Sequence, residues 1–334
     1  MHTIKDVAKD TGLGLATISK YLNGGNVRPE NKILIENSIE KLGYTVNVLA
    51  RGLKTNKSKI IGILIPELSN LFITTVITII EDILRQQGYG ILVCDCRSNP
   101  KLEKELVNFL ISKQVDGIIN MPVCTDGSHL VDVMKKNIPT VLIDRKIKND
   151  NVDYVGVNNI LAGEIATNKL IDAGHKNIAV LTGPKILSTA TERLLGYEKA
   201  MEEANLPVKQ SNKIYAGYSI EGGYKFTKQI IEADKDISAI FCTNYELTIG
   251  CIIALNEMGL KIAEDVSLIG FDSIELTKIV NPKLTIIAQP VHELATHTAQ
   301  LMLKKLDGNL CNSQIILSPY IEEGKSIKEI KGVF

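Results

Sequence analysis

Five residues that could bind a polyhydroxylated ligand stand just after predicted strands or at the start of a predicted helix. Asp144, Asn244 and Asp272 follow apolar strands, Phe72 lies shortly after the first strand, and Arg193 stands where a loop enters a helix. Ligands of open α/β sheets bind beyond the carboxyl ends of the strands, so these side chains are expected to face one cleft. Planar polar groups pair with neighbouring hydroxyls, and an aromatic ring stacks on a sugar. The set predicts a sugar-binding cleft, with no catalytic residue.

Two members of this set have simpler explanations when each is taken alone. An aspartate after a strand, such as Asp144, is often a helix cap or a turn residue. Arg193 alone could be a surface cation. The ligand-binding interpretation therefore depends on the elements that bring these residues together.

Those elements are alternating strands and helices. Apolar runs of strand length, from Ile60–Pro66 to Ser267–Ile269, alternate with helical patterns such as Thr74–Gln87. Strands that are apolar throughout are typical of parallel sheets covered by helices on both faces. The number of strands favours two doubly wound sheets, with a break near Val157–Leu161.

A different pattern precedes them, namely two short helices around a glycine turn. Thr3 is an N-cap candidate for the first helix, with Asp6 three residues on as in a capping box. Gly12-Leu13-Gly14 ends that helix, and a second helix covers Leu15–Asn23. A helical hairpin in an ordinary core would explain each signal alone. The ordered combination is typical of a helix-turn-helix, whose second helix can enter the major groove of DNA.

The charge distribution agrees with a DNA-binding start of the chain. A third helix begins at Pro29 and ends at Gly43. Residues 1–60 contain ten Lys and Arg against five Asp and Glu, whereas the whole chain has a formal net charge of zero. A basic segment suits phosphate binding, although a chance excess on a short solvated segment would give the same charge.

The composition argues against several other functions. No apolar run reaches the ~20 residues of a membrane span, and the first residues have no apolar signal core, so a cytoplasmic protein is expected. Six cysteines and five histidines show no metal-binding spacing. No metal or other cofactor is therefore expected, and the cysteines are expected to be reduced core thiols.

The chain resembles the lactose/galactose-repressor family (LacI/GalR) of bacterial transcription regulators. The resemblance begins with Thr3–Ala8 and Ala16–Asn23. It continues through Gly62–Pro66, Gln114–Ile119, Gly174–Ala179, Arg193–Tyr197 and Glu264–Asp272. It implies an α/β fold: a small all-α helix-turn-helix head and a hinge helix, followed by a two-lobed, periplasmic-binding-protein-like body of two doubly wound parallel sheets.

The family's organisation would divide the chain into three parts. Residues 1–45 would form the DNA-binding domain, residues 46–58 a hinge helix and linker, and residues 59–334 an effector-binding and dimerisation domain. Crossings between the two lobes are expected near Val157–Asn159, Ile287–Gln289 and Leu317–Tyr320. The N-subdomain would comprise about 59–158 and 289–317, and the C-subdomain about 159–288 and 318–334.

The resemblance also implies which residues contact DNA. Leu15, Ala16 and Lys20 occupy base-reading positions, where lysine can donate to guanine and the other two can make only apolar contacts. The other residues expected at DNA are Thr3, Thr17, Ser19 and Asn23 in the head, and Asn47, Ala50, Leu53 and Lys54 in the hinge. Leu53 would wedge a base step open in the minor groove. Val46, in place of a usual proline, and Gly52 are departures that weaken the expected hinge helix.

The family uses the positions of Asp144, Arg193, Asn244 and Asp272 to bind an effector. Tyr245 stands where an aspartate usually follows Asn244, so the ligand is expected to be altered or less charged. The resemblance implies a sequence-specific DNA-binding regulator of transcription, and a repressor is the kind of regulator that we expect. It would bind a pseudo-palindromic double-stranded operator as a homodimer and respond to a small-molecule effector, a sugar or sugar derivative.

Two other functions fit parts of the sequence. A solute-binding protein of a transport system would have the same body, but the head and the missing signal segment argue against it. An enzyme acting on sugars or nucleotides would suit a doubly wound sheet. However, no G-x-G-x-x-G follows a strand, and neither a P-loop nor a nucleophile elbow is present in the sequence.

Overall fold

The computed structural model describes residues 2–22, 24–44, 57–148, 151–272, 274–309 and 312–330. The chain forms two compact units, residues 1–59 and residues 60–334. Among the helices in these described ranges, none has the length and apolar content that crossing a bilayer requires. The expected hinge residues Asn47, Ala50, Leu53 and Lys54 lie outside the described residues, as does Asn23.

The described residues of the first unit form three helices, as the sequence predicts: α1 (Ile4–Thr11), α2 (Leu15–Leu22) and α3 (Pro29–Leu42). Thr3 is the N-cap residue of α1, and Asp6 Oδ2 accepts hydrogen bonds from the Thr3 backbone amide at 2.7 Å and from its hydroxyl at 2.9 Å. Gly12 and Gly43 end α1 and α3 in the left-handed conformation, with φ of 68° and 57°. The capping box and both glycine stops are confirmed.

The core of this unit is small and takes one residue from each helix. Val7, Ile18 and Ile35 are fully buried at its centre. The Tyr21 hydroxyl donates a hydrogen bond to Glu36 Oε1 at 2.7 Å and joins α2 to α3. These contacts fix which face of α2 is buried, and they leave its opposite face in solvent.

The second unit contains two six-stranded sheets flanked by helices, so the expected α/β class is confirmed. The strands of the first sheet are β1 (Ile60–Ile65), β2 (Gly90–Asp95), β3 (Gly117–Asn120), β4 (Thr140–Ile143), β5 (Asp153–Val157) and β11 (Gln314–Leu317). They lie in the order β11-β5-β4-β3-β1-β2, with all neighbours parallel. The helices of this part are α4 (Leu71–Gln86), α5 (Pro100–Ser112), α6 (Val131–Lys135) and α12 (Val291–Leu306). We call it the N-lobe.

The second sheet and its helices form the C-lobe. Its strands are β6 (Ile178–Thr182), β7 (Lys213–Tyr215), β8 (Ala239–Cys242), β9 (Ser267–Phe271), β10 (Thr285–Ala288) and β12 (Tyr320–Glu322). They lie in the order β12-β10-β9-β8-β6-β7, and only the β10–β12 pair is antiparallel. Its helices are α7 (Asn159–Asp172), α8 (Ser188–Glu203), α9 (Ile220–Ala233), α10 (Tyr245–Glu257) and α11 (Ile274–Ile279).

The chain passes between the two lobes three times. It leaves the first sheet after β5, returns to the N-lobe between β10 and α12, and crosses again between β11 and β12. Helix α12 packs in the N-lobe core through buried Leu294, Ala299 and Met302. The N-lobe is therefore completed only by segments from the end of the chain.

Helices α7 and α8 of the C-lobe pack at unusually close range. A Cβ atom on Gly196 would lie 2.1 Å from the carbonyl oxygen of Ile160, and one on Gly163 would lie 2.1 Å from that of Arg193. Only glycine allows this approach of two backbones. Helix α8 begins at Ser188. Arg193 therefore lies inside this helix, whereas the sequence pattern predicted that it stands where a loop enters the helix.

Candidate functional site

A cleft between the N-lobe and the C-lobe brings together all five predicted ligand residues. The N-lobe contributes Phe72 and Asp144, and the C-lobe contributes Arg193, Asn244 and Asp272. The cavity that remains between them measures about 80 Å³, well below the ~300–1,000 Å³ of typical ligand pockets. The two lobes are therefore nearly closed on each other, and the ligand-binding role of the five residues stays a prediction.

Asp144 and Asp272 occupy equivalent positions in the two lobes. Each directly follows a central strand and has a left-handed backbone, with φ of 64° for Asp144 and 57° for Asp272. The Asp144 amide donates to the Val155 carbonyl at 2.9 Å, and the Asp272 amide donates to the Ile287 carbonyl at 2.8 Å. Aspartate tolerates this strained conformation better than most residues, and such strain is concentrated at binding sites.

The environment of the two aspartates favours their protonated forms. Burial raises the pKa of Asp272 to about 7, although the neighbouring Arg193 guanidinium acts in the opposite direction. Burial also raises the pKa of Asp144, against the opposing effects of Arg145 and Arg193. Gln289 Nε2 donates to Asp272 Oδ2 at 2.9 Å, whereas buried Asp272 Oδ1 has no hydrogen-bond partner among the described residues. That oxygen is free to accept a hydrogen bond from a ligand hydroxyl.

Arg193 is buried and held in one orientation by its surroundings. Its Nε donates to Asn159 Oδ1 at 2.9 Å, and its Nη1 donates to the Thr243 carbonyl at 2.6 Å. The central carbon of the guanidinium lies 3.6 Å from the centroid of the Phe271 ring. A guanidinium has five N–H donors, so several donors remain for a ligand or for the aspartates.

Asn70 and Asn244 begin helices on opposite sides of the cleft. Asn70 Oδ1 accepts a hydrogen bond from the Ile73 amide at 3.1 Å, and Asn244 Oδ1 accepts one from the Leu247 amide at 3.0 Å. In these caps the side-chain oxygens accept hydrogen bonds from helix amides, so only the side-chain NH₂ groups remain for partners outside the helix. Asn70 Nδ2 donates to Glu246 Oε1, and Asn244 Nδ2 donates to Glu246 Oε2. One carboxylate thus joins the first turns of α4 and α10 across the cleft.

A second set of contacts joins the lobes at the edge of the cleft. Lys146 of the N-lobe forms an ion pair with Glu192 of the C-lobe, with 3.1 Å between Nζ and Oε1. The backbone amide of Lys146 also donates to Ser188 Oγ at 3.2 Å. The closed arrangement is therefore held by contacts at two separate places.

The other residues that line the cleft include Asn70, Arg145, Glu246 and Gln289, which were not predicted from the sequence as ligand residues. Asn70 lies in the loop after β1, and Arg145 and Glu246 lie next to or near predicted residues. Gln289 lies in the segment where the chain returns to the N-lobe. Most of these residues lie close in sequence to a predicted ligand residue, which could have indicated them. Only the fold shows that they line the same cavity.

A separate cluster in the N-lobe contains groups that could hold a metal ion. Ligand atoms of Glu103, Cys124 and His129 all lie within 4.8 Å of one another, and no other such group occurs among the described residues. The Glu103 carboxylate, however, already accepts hydrogen bonds from the Val123 amide at 3.0 Å and the Cys124 amide at 2.6 Å. Burial lowers the pKa of His129 to about 4, so its imidazole is neutral. We interpret the cluster as an anchor that ties the loop after β3 to α5.

Four other cysteines agree with the expectation of core thiols. Cys94, Cys96, Cys242 and Cys251 are free and buried, whereas Cys124 is half-buried. Cys311 lies outside the described residues.

The exposed face of α2 carries the three predicted base-reading residues. Leu15, Ala16 and Lys20 are exposed, whereas Ile18 between them is fully buried. An exposed leucine, with 45% of its surface accessible, has no role in the core of this unit. The other predicted head residues have mixed environments: Thr17 and Ser19 are half-buried, and Thr3 is exposed and caps α1.

Comparison with known proteins gives matches along nearly the whole chain. The model described as periplasmic binding proteins and sugar binding domain of LacI family matches residues 58–324. Catabolite control protein A of Priestia megaterium is 32% identical over 329 residues, which cover 98% of this chain and 99% of that protein. The HTH-type transcriptional repressor PurR of Histophilus somni (strain 129Pt) is 33% identical over 335 residues, covering 99% and 100%. The crystal structure of the Lac repressor dimer bound to operator and the anti-inducer ONPF has a similar fold, with a TM-score of 0.87 at 23% identity over 97% of this chain and 98% of that chain.

Proposed function

Because this chain belongs to the LacI family of transcription regulators, we propose that it is a sequence-specific DNA-binding repressor whose operator affinity is controlled by a small molecule. The observation that carries this proposal is the convergence of residues from both lobes on one nearly closed cleft. A ligand that binds one spacing of the lobes more tightly would shift the population that is competent for DNA. By linkage, DNA would change the affinity for the ligand by the same factor.

The exposed face of α2 is the proposed contact with the bases. A helix with one buried and one exposed side can enter the major groove while the rest of the head supports it. Leu15 and Ala16 would contact apolar groups such as a thymine methyl, and Lys20 would donate to guanine. The residues proposed to contact the phosphates or support those contacts are Thr3, Thr17, Ser19 and Asn23.

Residues 46–58 are proposed to connect the head to the body as a hinge. Asn47, Ala50 and Lys54 would lie at the minor groove, where Leu53 would insert between two base pairs. Inserting an apolar side chain costs a few kcal/mol of unstacking, which the additional contacts of a bent duplex offset. Two such hinges from a homodimer would suit a pseudo-palindromic operator, since the symmetry of a site mirrors that of the protein.

The proposed effector is a sugar or a sugar derivative. Several buried polar atoms at the cleft have no hydrogen-bond partner among the described residues, namely Arg145 Nε, Asp272 Oδ1 and Gln289 Oε1. Buried donors and acceptors without partners are costly. A polyhydroxylated molecule could satisfy both kinds, because each hydroxyl donates one hydrogen bond and accepts others. Phe72 would offer its ring to the apolar face of the same ligand.

A gel-shift titration with the DNA upstream of the protein's own gene tests the proposal. The purified chain should bind that fragment at least a hundredfold more tightly than a random fragment of equal length at ~150 mM salt. A panel of sugars, nucleosides and phosphorylated sugars should contain a compound that changes this affinity. Equal affinity for both fragments, with and without every compound, would contradict the proposed function.

A further inference from the structure

We propose that the cleft selects an uncharged polyhydroxylated effector over the phosphate ester of the same molecule, and that Glu246 enforces this choice. The proposal rests on the proposed effector role of the cleft and adds the charge class of the ligand. It is carried by the acidic and basic side chains that line the cleft and by the hydrogen bonds of Glu246.

The cleft contains more acidic than basic side chains. The acidic residues that line it are Glu67, Asp144, Glu246 and Asp272, and the basic residues are Arg145 and Arg193. Burial raises the pKa of Glu246, and the nearby Glu67 carboxylate acts in the same direction. A group that is already costly to ionise would become more so beside an anionic ligand.

The first of the two arginines, Arg145, already interacts with acidic groups of the protein. Arg145 interacts favourably with three carboxylates, because it lowers the pKa of Asp144, Glu246 and buried Glu103. Its Nε lies 3.8 Å from Asp144 Oδ2. One guanidinium therefore faces three acidic groups before any ligand enters.

The second arginine is in a similar situation. Arg193 lowers the pKa of both Asp144 and Asp272. Two of its donors are occupied by Asn159 and the Thr243 carbonyl. A phosphate would have to compete for Arg193 with these partners, which are fixed in place.

The position of Glu246 removes the neutral donors that a phosphate could otherwise use. The NH₂ groups of Asn70 and Asn244 both donate to its carboxylate. The helix caps prevent these amides from turning, because their oxygens accept backbone hydrogen bonds. A hydroxyl can donate to the Glu246 carboxylate, whereas a phosphate oxygen at neutral pH can only accept and carries the same sign of charge.

A purely mechanical role for Glu246 predicts a different result. If its carboxylate only held the lobes together, its removal would change the affinity for a sugar and for the phosphate ester by the same factor. If it selects by charge, its removal would change the ratio of the two affinities. The ratio, and not either affinity, is therefore the quantity to measure.

Isothermal titration calorimetry on the full chain measures this ratio. The probes are D-ribose with ribose 5-phosphate, D-glucose with glucose 6-phosphate, and adenosine with adenosine 5′-monophosphate. The variants are wild type, Glu246→Gln, and Glu257→Gln as a matched control. Glu257 ends the same helix, where its carboxylate pairs with Lys228 at 2.8 Å and does not line the cleft.

At least one uncharged probe should bind the wild type 30-fold or more tightly than its phosphate ester. Glu246→Gln should reduce this ratio at least fivefold, and Glu257→Gln should leave it unchanged. A phosphate ester that binds the wild type as tightly as its parent would overturn the proposal, and so would an unchanged ratio in Glu246→Gln. Absence of binding for all six probes would also overturn it. The proposed function would survive each of these results if specific operator binding, measured separately, is present.

Discussion

The guanidinium of Arg193 lies over the ring of Phe271, with 3.6 Å between the ring centroid and the central carbon of the guanidinium. Phe271 is the last residue of β9 and directly precedes Asp272. The strand therefore provides both the apolar surface under the cation and the next acidic group of the cleft. Because Asn159 and Thr243 hold the guanidinium from two other elements, its plane is set before a ligand arrives.

Arg193→Lys should weaken effector binding about 10- to 100-fold. Lysine can neither stack as a plane nor keep both hydrogen bonds, and a hydrogen bond to a charged group contributes ~1.5–3 kcal/mol. Calorimetry with an identified effector measures the loss, and gel shifts without effector should still show operator binding. Arg85→Lys, at an exposed position of α4, is the control. An unaltered effector affinity in Arg193→Lys would remove this residue from the site.

Asp272 should make stability depend on pH between about pH 4 and pH 7. Its pKa is raised from 3.8 to about 7 by burial, so the folded protein binds this proton more tightly than the unfolded chain. The associated stability is complete below about pH 4 and is lost as the pH rises through 7. Relative to Asp272→Asn, the wild type should lose on the order of a few kcal/mol between pH 5 and pH 8. Urea unfolding of both proteins at several pH values measures their free energies of unfolding. The same pH dependence in both proteins would contradict the raised pKa of Asp272.

Glu103→Gln should destabilise the N-lobe although it removes only a charge. The buried carboxylate accepts hydrogen bonds from the amides of Val123 and Cys124. A glutamine amide can accept only with its oxygen, so one backbone amide would lose its partner at a cost of ~1–3 kcal/mol. Urea unfolding at pH 7 should show this loss, whereas exposed Glu105→Gln on the same helix should stay within ~0.5 kcal/mol of wild type. Equal stability of the two variants would show that the anchor is not needed.

Lys20→Ala should reduce specific operator binding more than non-specific binding. A base contact of this type contributes ~1–3 kcal/mol of discrimination, which corresponds to roughly 5- to 150-fold in affinity. Fluorescence anisotropy with operator and random duplexes measures both affinities. Lys32→Ala is the matched control, because Lys32 is an exposed lysine on α3 of the same unit. If Lys20→Ala reduced the affinity for both duplexes by the same factor, Lys20 would contact a phosphate and not a base.

Leu53→Ala should abolish most of the specificity while leaving non-specific binding nearly intact. The variant keeps every charge of the basic segment but removes the proposed apolar wedge, without which a bent duplex gains less contact. Leu53→Met, which keeps an apolar side chain of similar volume, should retain most of the operator affinity. The same anisotropy assay applies. A loss shared equally by operator and random DNA would argue against insertion at a base step.

Much of the fold could be predicted because the determining signals are local. Strand bounds from β1 to β9 agree with the apolar runs to within two residues, since each buried strand must be apolar throughout. The sequence places Arg193 at the start of α8, but the helix begins at Ser188, because Ser188–Thr191 consists of small residues without a helical pattern. Helix α12 was not predicted, although its buried residues recur with helical spacing.

The cleft was only partly predictable for a different reason. Four of the five predicted residues stand just after a strand or at a helix start, where a general rule for α/β sheets applies, whereas Arg193 lies within α8. The bond between Asn70 and Glu246 joins residues 176 positions apart, and no pattern along the chain relates them. The cluster of Glu103, Cys124 and His129 likewise exists only once α5 and the loop after β3 pack together.

In two asparagines of the cleft, the side-chain oxygen and the side-chain nitrogen have different partners, and this has a consequence for lobe motion. In both Asn70 and Asn244 the oxygen stabilises a helix start, and only the nitrogen reaches Glu246. Separation of the lobes would break the nitrogen contact of Asn70 but leave both helix starts capped. The protein can therefore alternate between closed and open forms without unfolding the first turn of α4 or α10, because the contacts that opening breaks are hydrogen bonds and an ion pair that water can replace.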